Sequence, residues 1–483
     1  MSRRIAVVGS GIGGLTAALL LERQGYDVTV YERSGKVGGR VAFEEEGPYR
    51  IDQGPTIVLL PDMLKGILAE GGIAPERLEL LRCDPLYRIH YRSGRVLTKV
   101  ADREAQTAEI DRLYPGEGRG FQRFMKDMDG VYVTGQQNFI ERDFPRRRDF
   151  FTLGNVKLMR RLRAYQSVKK AAGSYFRSEE LRDAFSLQSL YIGGTPFATP
   201  GIYSLLPYAE YEYGIWMLKG GYGTLPKLIH EELAGRGVTF RLNTEVRSLI
   251  VEQKQCRGVV TELGEERYDA VLYNGDFPNI SGLLSEQVPA KRRYRPSTGC
   301  VLVYLGVSKT FPEALTHQFF LPDNLTASLK QVYAGRIPDD PSFYVFNPAA
   351  LDPAAAPPGE SVLYFLIPVP FNNGLSWEQE TPALVERVLA AAEERGLTDL
   401  RRHITWSRVR TPLEAERDGL YGGGSFGIAP ILSQSGVYRP QPKPFPIGRL
   451  AAAGASIHPG GGVPIVMQGA KLAVNQLIKE LET

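Results

Sequence analysis

Ile5-Ala-Val-Val-Gly9-Ser-Gly-Ile-Gly-Gly14 runs directly into Leu15-Thr-Ala-Ala-Leu-Leu-Leu21, and Gly25 then leads to Asp27-Val-Thr-Val-Tyr31-Glu32. The apolar run Ile5 to Val8 suits a buried parallel strand, and Leu15 to Leu21 has a helix-forming composition. Asp27 to Tyr31 reads as a second strand, closed by the acid Glu32. A GxGxxG loop between strand and helix, with an acid ending the next strand, predicts a dinucleotide-binding βαβ unit. In such a unit Gly9 makes the tight turn, Gly11 admits a pyrophosphate and Gly14 lets helix and sheet approach closely. Glu32 is placed to accept hydrogen bonds from the adenosine ribose, and its charge repels a 2′-phosphate, which speaks against NADP. Met1-Ser-Arg-Arg4 before an apolar stretch imitates a secretory leader, but the spaced glycines and Glu22-Arg23 do not fit one.

The far end of the chain carries a second glycine loop, Gly454-Ala-Ser-Ile-His458-Pro-Gly-Gly-Gly462-Val-Pro464-Ile-Val-Met467. A run of glycines lets backbone press against a flat ligand where side chains would collide. Pro464 suits the first turn of a helix, and a helix starting on this loop aims free N–H groups and a positive dipole end forward.

Composition bounds the rest. The chain has 483 residues, 43% hydrophobic, enough for two or three domains. Cys83, Cys256 and Cys300 are scattered without a CxxC pair, so neither disulfides nor a metal site is expected, in keeping with a reducing cytoplasm. No apolar run reaches the roughly 18 residues of a membrane-spanning helix. Ser361 to Phe371 is hydrophobic but short and broken by Pro368 and Pro370, so it reads as a buried strand. The net charge of +4 says little, but from Arg142 to Arg177 there are eleven Lys/Arg and two acids. Leu158, Leu162, Tyr165 and Val168 interleave at helical spacing. Two readings stand open there: a segment lying on an anionic membrane surface, or a solvated basic face over a core stripe. Nucleic acid is not expected, because no recognised binding module accompanies the charge.

Gly38-Gly39-Arg40 and Asp52-Gln-Gly54-Pro55-Thr56 follow the N-terminal unit. With these segments the chain resembles the FAD-binding amine oxidase and carotenoid desaturase superfamily. Further matching segments are Lys219-Gly-Gly-Tyr-Gly, Asn243-Thr-Glu-Val246 and Tyr268 to Asp276. The resemblance implies an α/β chain: a discontinuous Rossmann-type FAD-binding domain from 1–100, 216–289 and 441–483, with an α+β substrate domain from 101–215 and 290–440. It implies FAD contacts at Gly9, Gly11, Gly13, Gly14, Glu32, Arg33, Gly39, Arg40, Gly54, Pro55 and Thr56, with Arg40 near the phosphates. It places Val246 at the adenine and Asp276, Gly454, Ala455, Gly462, Val463, Pro464 and Met467 along the cofactor, Met467 close to the ring.

Ser189-Leu-Tyr-Ile-Gly-Gly194 and Gly424 to Gln441, with His458 to Pro464, resemble the bacterial carotenoid desaturases more closely, above all those of dehydrosqualene (4,4'-diapophytoene). This likeness implies FAD-dependent desaturation of a linear C30 polyene to diaponeurosporene or diapolycopene by hydride transfer to the flavin, with a quinone or oxygen as final acceptor. With the membrane-surface reading of the basic stretch 142–177, the expected place is peripheral, on the inner face of the cell membrane. C40 phytoene desaturation and oxidation of a terminal methyl remain open, the latter because Gly396 to His403 looks more like that branch. A polar-amine oxidase and a prenyl-lipid escort protein with the same fold also stay open. Asp149 and His458 are the candidates for acid–base work, weighed against a helix cap and loop positioning respectively.

Overall fold

The computed structural model describes residues 3–284 and 292–483. Its first sheet has five strands in the order Leu450–Ala452, Ala270–Tyr273, Arg4–Val8, Asp27–Tyr31 and Thr239–Arg241. Every pairing in it is parallel, in keeping with the apolar, buried interiors of its central strands. Three distant stretches of sequence therefore meet in one sheet. The helices Ile12–Arg23, Thr224–Gly235 and Val463–Glu482 pack over it, joining Leu15, Leu19, Ile229 and Val474 in one core.

The second sheet has seven strands: Ile404–Arg410, Gly299–Val307, Ser361–Val369, Phe343–Phe346, His317–Phe320, Tyr87–His90 and Val96–Lys99. Ser361–Val369 is the buried strand expected from its composition. Alternate residues of its strands enter different cores, because strand side chains alternate between faces. Val301, Val303 and Leu305 pack under the helix Trp377–Glu394, while Cys300, Leu302 and Tyr304 face a helical layer built from residues 103–213.

One expected boundary moves. Tyr87–His90 pairs parallel with His317–Phe320, and Val96–Lys99 extends the same sheet. Residues 87–99 thus belong to the seven-stranded sheet and not with the first hundred residues. The boundary expected at 289–290 lies outside the described residues.

Candidate active site

A cavity of about 960 Å³ runs from the N-terminal glycine loop to the inner face of the seven-stranded sheet. At its near end Gly9 turns with φ +98°, and its N–H donates to the Tyr31 carbonyl at 2.8 Å. The helix Ile12–Arg23 starts at Gly11 with no side chain capping it, so its first N–H groups are open to an anion. A Cβ on Gly39 would sit 3.3 Å from Gly11 Cα, so two glycine loops meet backbone to backbone. Gly14 does not line the cavity. Its place there is one of packing, since a Cβ would lie 2.0 Å from the Gly9 carbonyl oxygen.

Glu32 stands on the cavity wall with both carboxylate oxygens engaged. Oε2 accepts from Ser10 N and Oγ at 2.9 and 2.7 Å, and Oε1 accepts from Ser34 N and Oγ, both at 2.9 Å. The backbone donors fix its orientation, while the two serine hydroxyls fill the acceptor positions that ribose hydroxyls would take and can rotate aside. Arg33, Gly13, Gly54, Pro55, Thr56 and Val246 also line the cavity. Arg40 reaches it too, its guanidinium 3.9 Å from the buried Asp276 carboxylate. Asp276 Oδ2 also accepts from Tyr421 N at 3.0 Å, and Ser456 Oγ bonds to Oδ1, so one acid ties three chain segments together at the cavity.

At the other loop Gly454 and Gly462 take φ of +121° and +99°. Gly454, Ala455, Gly462, Val463 and Pro464 line the cavity, as does Val466. Met467 does not. The cavity meets only the first turn of the helix Val463–Glu482, and Met467, fully buried, points into the core under the five-stranded sheet. Arg439, to which the sequence alone assigns no task, is buried behind this loop. It donates to the carbonyls of Ile457 and Gln434 at 3.3 and 3.2 Å, and to that of Ala455.

Neither acid–base candidate reaches the cavity. Asp149 sits in the short helix Arg147–Phe150 and accepts from Arg146 N at 3.2 Å, which is a helix cap. His458 is 2% exposed, with Nε2 2.8 Å from the Arg142 carbonyl and its ring edge-on to Phe144. A carbonyl only accepts, so Nε2 carries the proton, and His458 staples the glycine loop to the 142–144 segment. Two other acids, Glu212 and Glu210, are also engaged elsewhere: Glu212 pairs with Arg103 at the surface, and Glu210 is buried against Lys99.

Burial also pulls the His458 pKa down to about 4, and those of His90 and His317 to about 4 and about 3. Unfolded, each takes up its proton near the ordinary value of 6.5. Between these values the unfolded chain binds more protons, so stability falls as pH drops below about 6.5. At about pH 5 the loss is about 2 kcal/mol for each histidine. Asp52 and Asp183, pushed up by burial to about 7 and about 6, act the other way over the same range. The histidine contribution is therefore read by difference. Between neutral pH and about pH 5 the thermal midpoint of His90→Gln should lose less than that of the wild type, and an identical pH dependence would contradict this assignment.

The cavity thus combines an anion-ready helix start, a ribose-facing acid, an arginine and a second glycine loop around one space, an arrangement that suits a dinucleotide carrying a flat ring. A family model of flavin-containing amine oxidoreductases matches residues 12–478. The chain belongs to this family.

It is 45% identical to the 4,4'-diapolycopen-4-al dehydrogenase of Metabacillus indicus, over 99% of this chain and 97% of that one. It is 33% identical to the zeta-carotene-forming phytoene desaturase of Myxococcus xanthus, over 99% and 94%. It is 29% identical to a 4,4'-diaponeurosporene-forming 4,4'-diapophytoene desaturase of Staphylococcus aureus, over 99% of each chain. Among solved structures, putrescine oxidase bound to putrescine aligns with TM-score 0.66 at 16% identity over 100% of both chains. The cyclohexylamine oxidase of Brevibacterium oxydans aligns with TM-score 0.65 at 16%, also over 100% of both. These two likenesses concern the fold.

The cofactor is therefore FAD and the protein an FAD-dependent oxidoreductase. The glycine cradle fits it: Gly9, Gly11, Gly13 and Gly39 line the cavity with no side chain of their own, leaving backbone that a pyrophosphate could approach closely. Glu32 and Val246 would hold the adenosine, Arg40 and the Gly11 helix start the phosphates, and Gly461 to Ile465 the flavin end. FAD, when bound, supplies a two-electron acceptor; the chain orients the substrate against it and excludes water.

Proposed function

We propose that this oxidoreductase desaturates a linear C30 carotenoid precursor, dehydrosqualene (4,4'-diapophytoene), towards diaponeurosporene and diapolycopene. The carrying observation is the far half of the cavity, walled by Leu187, Leu190, Leu302, Phe319 and Leu366, which offers an extended apolar chain a dry wall. Each desaturation breaks two C–H bonds and forms one C=C. FAD held in the glycine cradle would take the electron pair as hydride, and the proton would leave the allylic cation that remains. Quinone or oxygen then takes the electrons. On this reading the five-stranded parallel sheet is the Rossmann-type cofactor domain, and the flavin would lie between it and the far half of the cavity.

A second reading is oxidation of a terminal aldehyde to the acid, in which water would add to the carbonyl and bound FAD would take the hydride from the C–H of the hydrate. The identity of 45% to an aldehyde dehydrogenase, against 33% and 29% to desaturases, favours it.

The substrate would arrive from a membrane. Leu153 is 91% exposed, and Phe151, Val156 and Tyr165 are exposed as well, all within the basic stretch. The helix Tyr132–Phe139, just before that stretch, gives Tyr132 and Gln136 to the cavity and exposes Val133 beside them. No helix among the described residues is long and apolar enough to cross a membrane. The geometry suits a peripheral seat on the cytoplasmic face, with side chains dipped into lipid and arginines on anionic headgroups.

FAD-loaded protein incubated with liposomes of diapophytoene should give products lighter by two hydrogens per new double bond, with absorption moving into the visible. Diapolycopenal turned over to a product heavier by one oxygen, with diapophytoene untouched, selects the second reading. Both substrates unchanged, with oxygen and with quinone, overturns both. Phe151→Asp/Leu153→Asp should lower co-sedimentation with anionic vesicles by more than about tenfold, since two large apolar side chains no longer leave water.

A further inference from the structure

The apolar end of the cavity contains a chain of polar groups that a hydrocarbon substrate does not use. Thr56 and Tyr344 both line it. Thr56 Oγ1 lies 2.7 Å from the Tyr344 hydroxyl, which lies 2.7 Å from Nδ1 of the fully buried His317. His317 Nε2 has no hydrogen-bond partner among the described residues, and its ring is stacked on Phe346 and Tyr344. Thr56 follows directly on Gly54-Pro55, which line the cavity as well, so FAD held at that segment would lie beside the end of the chain of hydroxyls.

Three groups in single file can arrange their protons in two ways. In one, Thr56 donates to Tyr344, Tyr344 donates to Nδ1, and the imidazole proton is left on Nε2 with no acceptor. In the other, Nδ1–H donates to Tyr344, Tyr344 donates to Thr56, and the Thr56 proton is left over, facing the cavity. A buried unpaired N–H is costly and nothing in the wall can relieve it. An unpaired Thr56 O–H can be relieved, by a ligand oxygen in the cavity. Burial keeps His317 neutral, so both arrangements carry the same charge and exchange only protons.

We propose that Thr56 and Tyr344, set by His317, form a binding site for an oxygenated end of the polyene, an aldehyde or the acid derived from it. A carbonyl oxygen selects the arrangement with the Thr56 proton outward. An acid O–H selects the opposite one, in which Thr56 accepts. A hydrocarbon end meets neither and leaves the hydroxyl desolvated. This inference rests on the polyene reading above and adds the chemistry of the chain end. Thr56 and Tyr344 are specificity residues; His317 is a positioning residue that acts through Tyr344.

The test is anaerobic titration of the FAD-loaded protein with three linear polyenes of equal conjugation, ending in a methyl group, an aldehyde and a carboxylic acid. Quenching of protein fluorescence reports affinity, and flavin absorbance reports retained cofactor. The wild type is expected to prefer the aldehyde to the hydrocarbon by about tenfold, the worth of one hydrogen bond made instead of lost. Thr56→Val and Tyr344→Phe should bring that ratio to about one. His317→Phe should lower it and His317→Asn, whose amide can stand in for Nδ1, should restore it. Tyr344→Phe carries the test if Thr56→Val loses FAD. Equal wild-type affinity for the three ends, or a ratio that survives Tyr344→Phe, overturns the end-group site and leaves the polyene reading standing. Binding of none of the three overturns both.

Discussion

Gly14→Ala is expected to yield a protein that purifies without FAD, its affinity reduced at least about a hundredfold. The new Cβ would stand 2.0 Å from the Gly9 carbonyl oxygen. Both groups are backbone-fixed, so no rotamer relieves the overlap, and the helix Ile12–Arg23 has to move off the strand Arg4–Val8. That movement carries away the N–H groups at the start of the helix, which the pyrophosphate needs within hydrogen-bond reach. Two further substitutions separate this mechanism from a general intolerance of alanine. Gly13→Ala meets the Asn274 side chain at 2.4 Å, which can swing aside, so a smaller loss follows. Gly66→Ala, in the helix Pro61–Glu70, meets nothing within 4 Å and should be neutral or slightly stabilising. The ratio of flavin to protein absorbance in the three purified variants gives the ranking. A fully yellow Gly14→Ala protein would mean that the turn is softer than its geometry.

What is legible in the sequence is what local chemistry decides. The strand, the GxGxxG turn, the helix and Glu32 lie within 28 residues of one another, and each residue type states its own backbone or charge requirement. The glycine loop at 454–462 is equally readable, and the structure brings both loops to one cavity. Phase and partnership are not readable. Met467 follows the loop closely and so reads as a ring contact, but one more residue along a helix turns a side chain by about 100°, here from cavity to core. The strands Tyr87–His90 and Val96–Lys99 carry no mark in sequence of the sheet they enter, and fall within the 1–100 segment expected in the cofactor domain. The sheet they join is set by a parallel pairing with His317–Phe320, more than two hundred residues on. Asp149 and His458 show how little a residue type says about direction: both have side chains capable of acid–base work, and both are turned to backbone groups outside the cavity. The Thr56–Tyr344–His317 chain leaves no signal in the sequence, since two of its members are ordinary residues of separate strands.

Lys99→Met and Glu210→Gln should each destabilise the protein by about 3–5 kcal/mol, and the double variant by far less than their sum. Lys99 and Glu210 are both fully buried, with Nζ 3.1 Å from Oε2. The carboxylate also accepts from Tyr87 at 2.7 Å and from Gln188 and Tyr191 at 3.1 Å. The ammonium sits among the rings of Phe185, Tyr211 and Tyr87 at 4.5, 4.8 and 5.2 Å. Desolvation pulls the Lys99 pKa down and Glu210 opposes it, so the partner is what keeps the buried charge in place. Removing Lys99 leaves an anion with neutral donors alone; removing the anion leaves a cation with aromatic faces. Removing both leaves an amide among hydroxyls and a thioether among rings, each at home in its surroundings. The pair lies behind Tyr191, whose ring forms cavity wall and stacks on Phe319. A protein that loses the pair therefore loses rigidity where the substrate chain must lie. Chemical denaturation of the four proteins gives the coupling energy. If it is near zero, the three phenol and amide donors and the aromatic cage already satisfy each charge alone, and the ion pair holds nothing in place.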